Sequence, residues 1–218
     1  MNIAEKAFRE LFPDKLLTRK INVEYSGRFK SYNANVKYNK QYISFSLSRD
    51  WKEVSEEIQI GLIQSLLLKI FKEKKKTISL ELYDKFIKNV PKFSVPTKFD
   101  PFLEESFDRI NKKYFYDYMV KPNLVWGQES FAKLGSYEYA VDTITISKVM
   151  REDSYLLDFV MYHEMLHKDL KFESKNGRNF HHTPEFKRRE KEYGDPEIEK
   201  KLTNFLRKKR FKKAFSFF

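Results

Sequence analysis

The 218-residue chain contains no cysteine. This excludes disulfides, thiol nucleophiles and sulfur-built zinc sites, so any transition metal has to be held by His, Asp or Glu. Glycine is scarce at 6 residues and forms no glycine-rich phosphate cradle, which weighs against nucleotide chemistry. No apolar run approaches the ~18 residues of a membrane span. The longest candidate, Ile58 to Phe71, is broken by Gln59, Gly61, Gln64, Ser65 and Lys69. Met1-Asn2-Ile3-Ala4-Glu5-Lys6 leads straight into a mixed-charge helical pattern with no apolar h-region. The expectation is therefore no signal peptide, no membrane and a cytoplasmic location. Histidine is nearly absent too: there are 4, all between residues 163 and 182.

What is abundant is aromatic and basic. A 41% hydrophobic and 17% aromatic content can build a packed core, and the length suits one large domain or two small ones. Net charge is +12, concentrated in Lys72-Glu73-Lys74-Lys75-Lys76, Lys187-Arg188-Arg189 and Arg207-Lys208-Lys209-Arg210. A positive surface favours polyanions, nucleic acid first, although lysine also covers ordinary solvated helix faces.

Pro91, Pro96 and Pro101 mark a linker, because so many prolines oppose both helix and central strand. On either side the chain repeats its pattern at an offset near one hundred residues. Ala7-Phe8-Arg9-Glu10-Leu11 matches Ser106-Phe107-Asp108-Arg109-Ile110 as a helix, and Ile21 to Tyr25 matches Pro122 to Trp126 as a short strand. Tyr42 to Ser48 alternates like a half-buried strand, as does Asp142 to Ser147. An apolar helix then follows in each half, Ser55 to Lys72 and Ser154 to Leu170. Aligning those helices sets Ile63-Gln64-Ser65-Leu66-Leu67 against His163-Glu164-Met165-Leu166-His167. The expectation is a duplicated α+β fold whose first copy has lost its chemistry.

His163-Glu164-Met165-Leu166-His167 reads H-E-x-x-H. Histidines four apart on a helix share a face, so both imidazoles reach one metal ion. Glu164 lies one step round, where it can take a proton from the attacking water without being a ligand. Ser154 is a candidate helix cap, and Asp158 suits the positive end of the helix dipole. Catalytic zinc takes three protein ligands. Leu170 and Glu173 stand where one zinc-protease pattern needs Gly and His, which removes that pattern. Glu185, Glu190 and Glu192 remain as third-ligand candidates, as do His181 and His182 before the helix start Thr183-Pro184-Glu185.

His163 to His167 followed by His182-Thr183-Pro184-Glu185-Phe186 resembles the SprT/Spartan family of zinc metallopeptidases, whose pattern is H-E-[ML]-x-H and then H-[GST]-P-x-F about fifteen residues on. Small minigluzincin-type peptidases are related. Gly135 and the strand Thr143 to Ser147 are similar to that family's glycine-plus-strand element over the active-site helix. The resemblance covers roughly residues 103–194. It implies a zincin-like core, an active-site helix packed on a small twisted sheet, with Zn2+ as cofactor and peptide hydrolysis of protein substrates. It makes His163, His167 and His182 the ligands, Glu164 the general base and Glu185 a structural residue, with His181 a neighbour. Spartan-type proteins cleave proteins crosslinked to DNA, often with a cysteine zinc ribbon; with no cysteine, this chain lacks the ribbon and gives the crosslink substrate little support.

The expected organisation is a degenerate repeat over 1–95, the peptidase over 96–194, and a basic amphipathic helix and tail over 195–218. Ile198, Leu202, Phe205 and Leu206 recur there at helical spacing. Interleaved Phe and Lys near the C-terminus suit docking on the N-terminal half, contact with nucleic acid, or cover of the cleft. Tyr137, Tyr139 and Tyr162 are assigned no catalytic role. Two other readings stand beside the peptidase: a basic nucleic-acid-binding protein with a vestigial metal site, and a metal-dependent nucleotide hydrolase.

Overall fold

Asn2 opens the first helix, α1 (Ile3–Leu11), through a capping box: its side chain accepts from Ala4 and Glu5 while Glu5 reaches back to the Asn2 amide. Ala4, Ala7, Phe8 and Leu11 recur at helical spacing and are buried. The computed structural model describes residues 1–93, 96–175 and 178–215. These fall into two compact units, 1–93 with 173–175 and 178–180, and 96–172 with 181–215. Among the described residues no helix is long and apolar enough to cross a membrane.

In the first unit, α1 is followed by β1 (Lys20–Ser26), β2 (Ala34–Tyr38) and β3 (Tyr42–Ser48), a 3-10 turn (Arg49–Glu53), and helices α2 (Glu56–Phe71) and α3 (Ile78–Asn89). The sheet order is β1-β3-β2, with β1 parallel and β2 antiparallel to the central strand. Ile43, Phe45 and Leu47 alternate inward from that strand. Trp51 is wholly buried among the rings of Tyr32, Tyr83 and Phe86. The short hairpin of β7 (Glu173–Lys175) and β8 (Arg178–Phe180) belongs to this unit.

Helix α3 lies so close to α2 that a Cβ on Gly61 would stand 2.0 Å from the Ser79 carbonyl oxygen and 2.7 Å from Tyr83 Cβ. Alanine ordinarily stabilises a helix interior by about 0.5–1 kcal/mol over glycine. Here the obstacle is backbone, and overpacking costs about 1–3 kcal/mol or more, so the clash wins. Gly61→Ala is expected to destabilise the first unit by roughly 2 kcal/mol, read as a lower urea midpoint; a raised midpoint would mean that α3 gives way easily.

The second unit runs α4 (Pro101–Tyr114), β4 (Asn123–Trp126), β5 (Gly135–Glu138), β6 (Thr143–Ile146), a 3-10 turn (Lys148–Glu152), α5 (Ser154–Leu170), α6 (Pro184–Glu190) and α7 (Ile198–Phe215). Its sheet order is β4-β6-β5, with β4 parallel and β5 antiparallel to the central strand. That order and those directions are the ones found in the first unit. Pro101 is not a linker residue but the first residue of α4, capped by Asp100. Ser94 and Val95, within the expected linker, lie outside the described residues.

Helix α5 is capped by Asp153, whose side chain accepts from Leu156, rather than by Ser154, its first residue. Asp158 does more than meet a helix dipole. It holds Arg109 on α4 with bonds of 2.8 and 3.0 Å and accepts from the Ser106 hydroxyl at 2.6 Å. Leu156, Leu157, Phe159, Val160, Met161, Tyr162, Met165 and Leu166 are buried, so α5 is the central helix of its unit. Helix α7 packs Ile198, Leu202, Phe205 and Leu206 against this same core. Its cations are partly engaged there, with Arg210 on the Phe131 carbonyl and Lys213 on Glu129.

Candidate metal centre

His163 and His167 sit one helical turn apart on α5, and their Nε2 atoms approach to 3.2 Å. His182 reaches them from the residue before the α6 cap. Thr183 accepts from the Phe186 amide and Pro184 occupies the first helical position, which fixes the chain direction at His182. One ring nitrogen from each of His163, His167 and His182 lies within 4.8 Å of the others, close enough for one metal ion. Phe186 is fully buried beneath them, its ring 5.1, 4.6 and 4.8 Å from those of His163, His167 and His182. His181 stays outside the trio and packs its ring near Tyr139 and Phe172.

The electrostatics favour the neutral form of His167 and His182. Burial, with the neighbouring charges of His163, His182 and His181, pushes His167 down to about 3. His182 is lowered by burial and by His163. His163 is pulled down by burial but raised overall by its hydrogen bond to Glu190, at 2.6 Å from Nδ1. Neutral imidazole is the ligating form.

Glu164 is 4% exposed, and its carboxylate lies under strand β5, near enough to His163 for the two charges to interact. Burial pushes its carboxyl up to about 7, against the pull of His163, Lys133 and the Tyr137 amide. A Cβ on Gly135 would lie 2.4 Å from Glu164 Oε1, so glycine is what leaves room for the carboxylate under the strand. Strand and helix are tied again beyond the site: Tyr137 donates to buried Asp142 at 2.7 Å, Lys168 on α5 pairs with the same carboxylate, and Tyr139 donates to the His167 carbonyl at 2.9 Å.

Two buried polar atoms here have no partner, Glu164 Oε2 and His167 Nδ1. An unpartnered buried oxygen such as Glu164 Oε2 is costly unless a bound group or water meets it, whereas His167 Nδ1 lies on the side of its ring away from the Nε2 that faces His163. Two imidazole nitrogens facing each other at 3.2 Å share at most one proton, which a cation between them and His182 would replace. The donor set, three histidines and no thiolate, fits zinc with a position left open.

The SprT-like family model matches residues 103–204. Residues 103–204 are a SprT-like domain. Among solved structures, the crystal structure of the metallopeptidase zymogen of Methanocaldococcus jannaschii jannalysin is similar at 17% identity, over 51% of this chain and 98% of that one, with a TM-score of 0.38. No curated protein matches the chain. Within the SprT-like domain the structure brings together all four residues picked out from sequence: His163, His167 and His182 as a cluster, with Glu164 beside it. Of the three glutamates weighed as ligands, Glu190 alone contacts a histidine of the cluster, and it does so on the side away from the other two. Glu185 instead pairs with Arg188 on the surface, where Glu192 also reaches that arginine. The sequence reading gave Glu190 no such role; its signal was only its place one turn beyond Phe186.

Proposed function

We propose that the SprT-like domain is a zinc-dependent metallopeptidase that cleaves peptide bonds of protein substrates, with His163, His167 and His182 as ligands and Glu164 as general base. The observation that carries this reading is the convergence of three imidazoles beside a buried carboxylate that has one oxygen unpartnered. A bound zinc ion supplies Lewis acidity to both the water nucleophile and the scissile carbonyl. Glu164 takes the proton of the attacking water and returns it to the leaving amine. Its burial strengthens it as a base, and its seat under β5 fixes the direction from which it accepts the proton. Phe186 and the buried apolar residues of α5 hold the ligand rings in place and keep bulk water from the back of the site.

The first unit we read as a degenerate copy of the same fold. The shared strand order supports this, as does a second parallel at the next helix. Thr77 caps α3 and Thr183 caps α6, each accepting from a buried residue three positions on, Leu80 or Phe186. Lys76 thus stands where His182 stands, and α2 offers Gln64, already engaged by Thr77 and Glu10, where α5 carries its motif. The first half has no histidine at all. Association with nucleic acid rests on the +12 charge, to which exposed Lys72, Lys74 and Lys76 contribute.

The test is zinc content together with cleavage of an unfolded protein. Wild type is expected to hold one zinc and to lose cleavage when chelated, recovering with added zinc. His182→Ala is expected to lose the metal, whereas His181→Ala keeps it. Stoichiometric zinc without cleavage, with or without single-stranded DNA, would favour a binding protein with a vestigial site.

A further inference from the structure

We propose that Glu190 is a positioning residue for the metal centre: its carboxylate fixes His163 in the tautomer that carries the proton on Nδ1, leaving Nε2 free to bind the metal. This rests on the metallopeptidase reading and deepens it, since neither the motif nor the ligand trio assigns Glu190 a role.

The geometry is direct. Glu190 Oε1 lies 2.6 Å from His163 Nδ1, while His163 Nε2 faces His167 Nε2 at 3.2 Å. A carboxylate only accepts, so the ring nitrogen between them must donate. The two nitrogens of an imidazole point to opposite sides of the ring, so the carboxylate and the metal occupy opposite sides of His163. Glu190 therefore cannot serve as the third ligand in this arrangement, and the trio with His182 stays complete without it.

The carboxylate is itself held in place. Glu190 is the last residue of α6, the helix that begins at Thr183-Pro184 and carries Phe186 under the ligand rings. The neighbouring Arg189 pins that end of the helix: its guanidinium meets Asp169 on α5 at 2.8 Å, and its carbonyl accepts from Tyr162. One short helix thus brings in the third histidine, the aromatic floor and the acceptor that orients the first. His167 has no such acceptor, its Nδ1 being buried and unpartnered. Ligand orientation by carboxylate therefore falls on His163 alone among the two helix histidines.

Zinc affinity, measured by chelator competition at one fixed pH, separates this role from a general structural one. Glu190→Ala is expected to weaken zinc binding about 10–100-fold. Glu190→Gln, whose amide oxygen still accepts from Nδ1, is expected to stay within a few-fold of wild type. Wild-type affinity in Glu190→Ala would overturn the proposal. An equal loss in both variants would also do so, because charge rather than tautomer control would then set the affinity. Should Glu190→Ala fail to fold, long-range 1H–15N spectra of zinc-loaded wild type decide the matter directly: Nδ1 of His163 is expected to be protonated, and a metal-bound or unprotonated Nδ1 refutes the assignment. Failure of wild type to bind zinc at all is a different result, and it would sink the metallopeptidase reading along with this one.

Discussion

Glu164→Gln is expected to bind one zinc ion about as tightly as wild type and to cleave unfolded protein about 10²–10⁴-fold more slowly. Glutamine keeps the shape of the side chain and so keeps the fit beneath Gly135, where the nearest approach of a Cβ would be only 2.4 Å. What it loses is the ability to accept a proton. The proposed ligand atoms, on His163, His167 and His182, are untouched by the substitution, and the carboxylate it replaces lies under β5. Burial makes the loss large. In water a carboxylate is a poor base at neutral pH, but Glu164 is 4% exposed and its carboxyl is pushed up to about 7, which strengthens it for the task. The measurement is a pair of numbers from each preparation, zinc per chain and initial cleavage rate. Equal rates with equal zinc would remove Glu164 from the mechanism. Loss of zinc in the variant would instead make it a ligand or a support for one.

The parts of this site that were legible in the sequence are those set by local periodicity. His163 and His167 share a face through i, i+4 spacing on a helix whose apolar residues announce it, whereas position alone left His181, His182 and three glutamates open as the third ligand and the family resemblance chose His182. The helix cap was misread by one residue, Asp153 for Ser154, because both residue types cap and spacing alone does not choose. Helix α3 went unread although Leu80, Tyr83 and Ile87 mark an apolar face, since a lysine run precedes it and only Leu80 is fully buried. Strand β2 was missed for a related reason: as an edge strand it shows a burial alternation too shallow to read. Glu190 illustrates a deeper limit. Its distance along the chain cannot tell a group that binds a metal from one that binds the far nitrogen of a ligand.

The two units share a strand order and a threonine-capped helix, and they differ in what stands before that cap. In the first, α3 begins next to α2 and its cap Thr77 hydrogen-bonds Gln64, so the polar group on the central helix is spent inside the protein. In the second, α6 begins with a histidine before an identical cap, and the polar groups of α5 face that histidine. The helix-start chemistry is common to both. What differs is the residue preceding the cap, lysine or histidine, and the side chains it meets.

Gly135→Ala carries the other large expectation: a roughly 10²-fold loss of cleavage with zinc retained, because about 1 Å of misplacement at a reacting group costs on that order. The new methyl group would sit 2.4 Å from Glu164 Oε1 and 2.8 Å from its Cγ. Real carbon contacts do not come so close, so either β5 lifts or the glutamate turns. The strand resists lifting. Gly135 is paired with Ile146, and the following turn is held by the Tyr137, Asp142 and Lys168 cluster. The glutamate is therefore what moves, and overpacking adds a stability cost of about 1–3 kcal/mol. Activity loss alone would not identify the cause, since a destabilised fold also lowers activity. The decisive measurement is a double-mutant cycle with Glu164→Gln. If glycine matters by making room for the carboxylate's position, adding Gly135→Ala to Glu164→Gln should lower the residual rate little further. A full second 10²-fold drop in that background would show that Gly135 acts on the site through something other than Glu164.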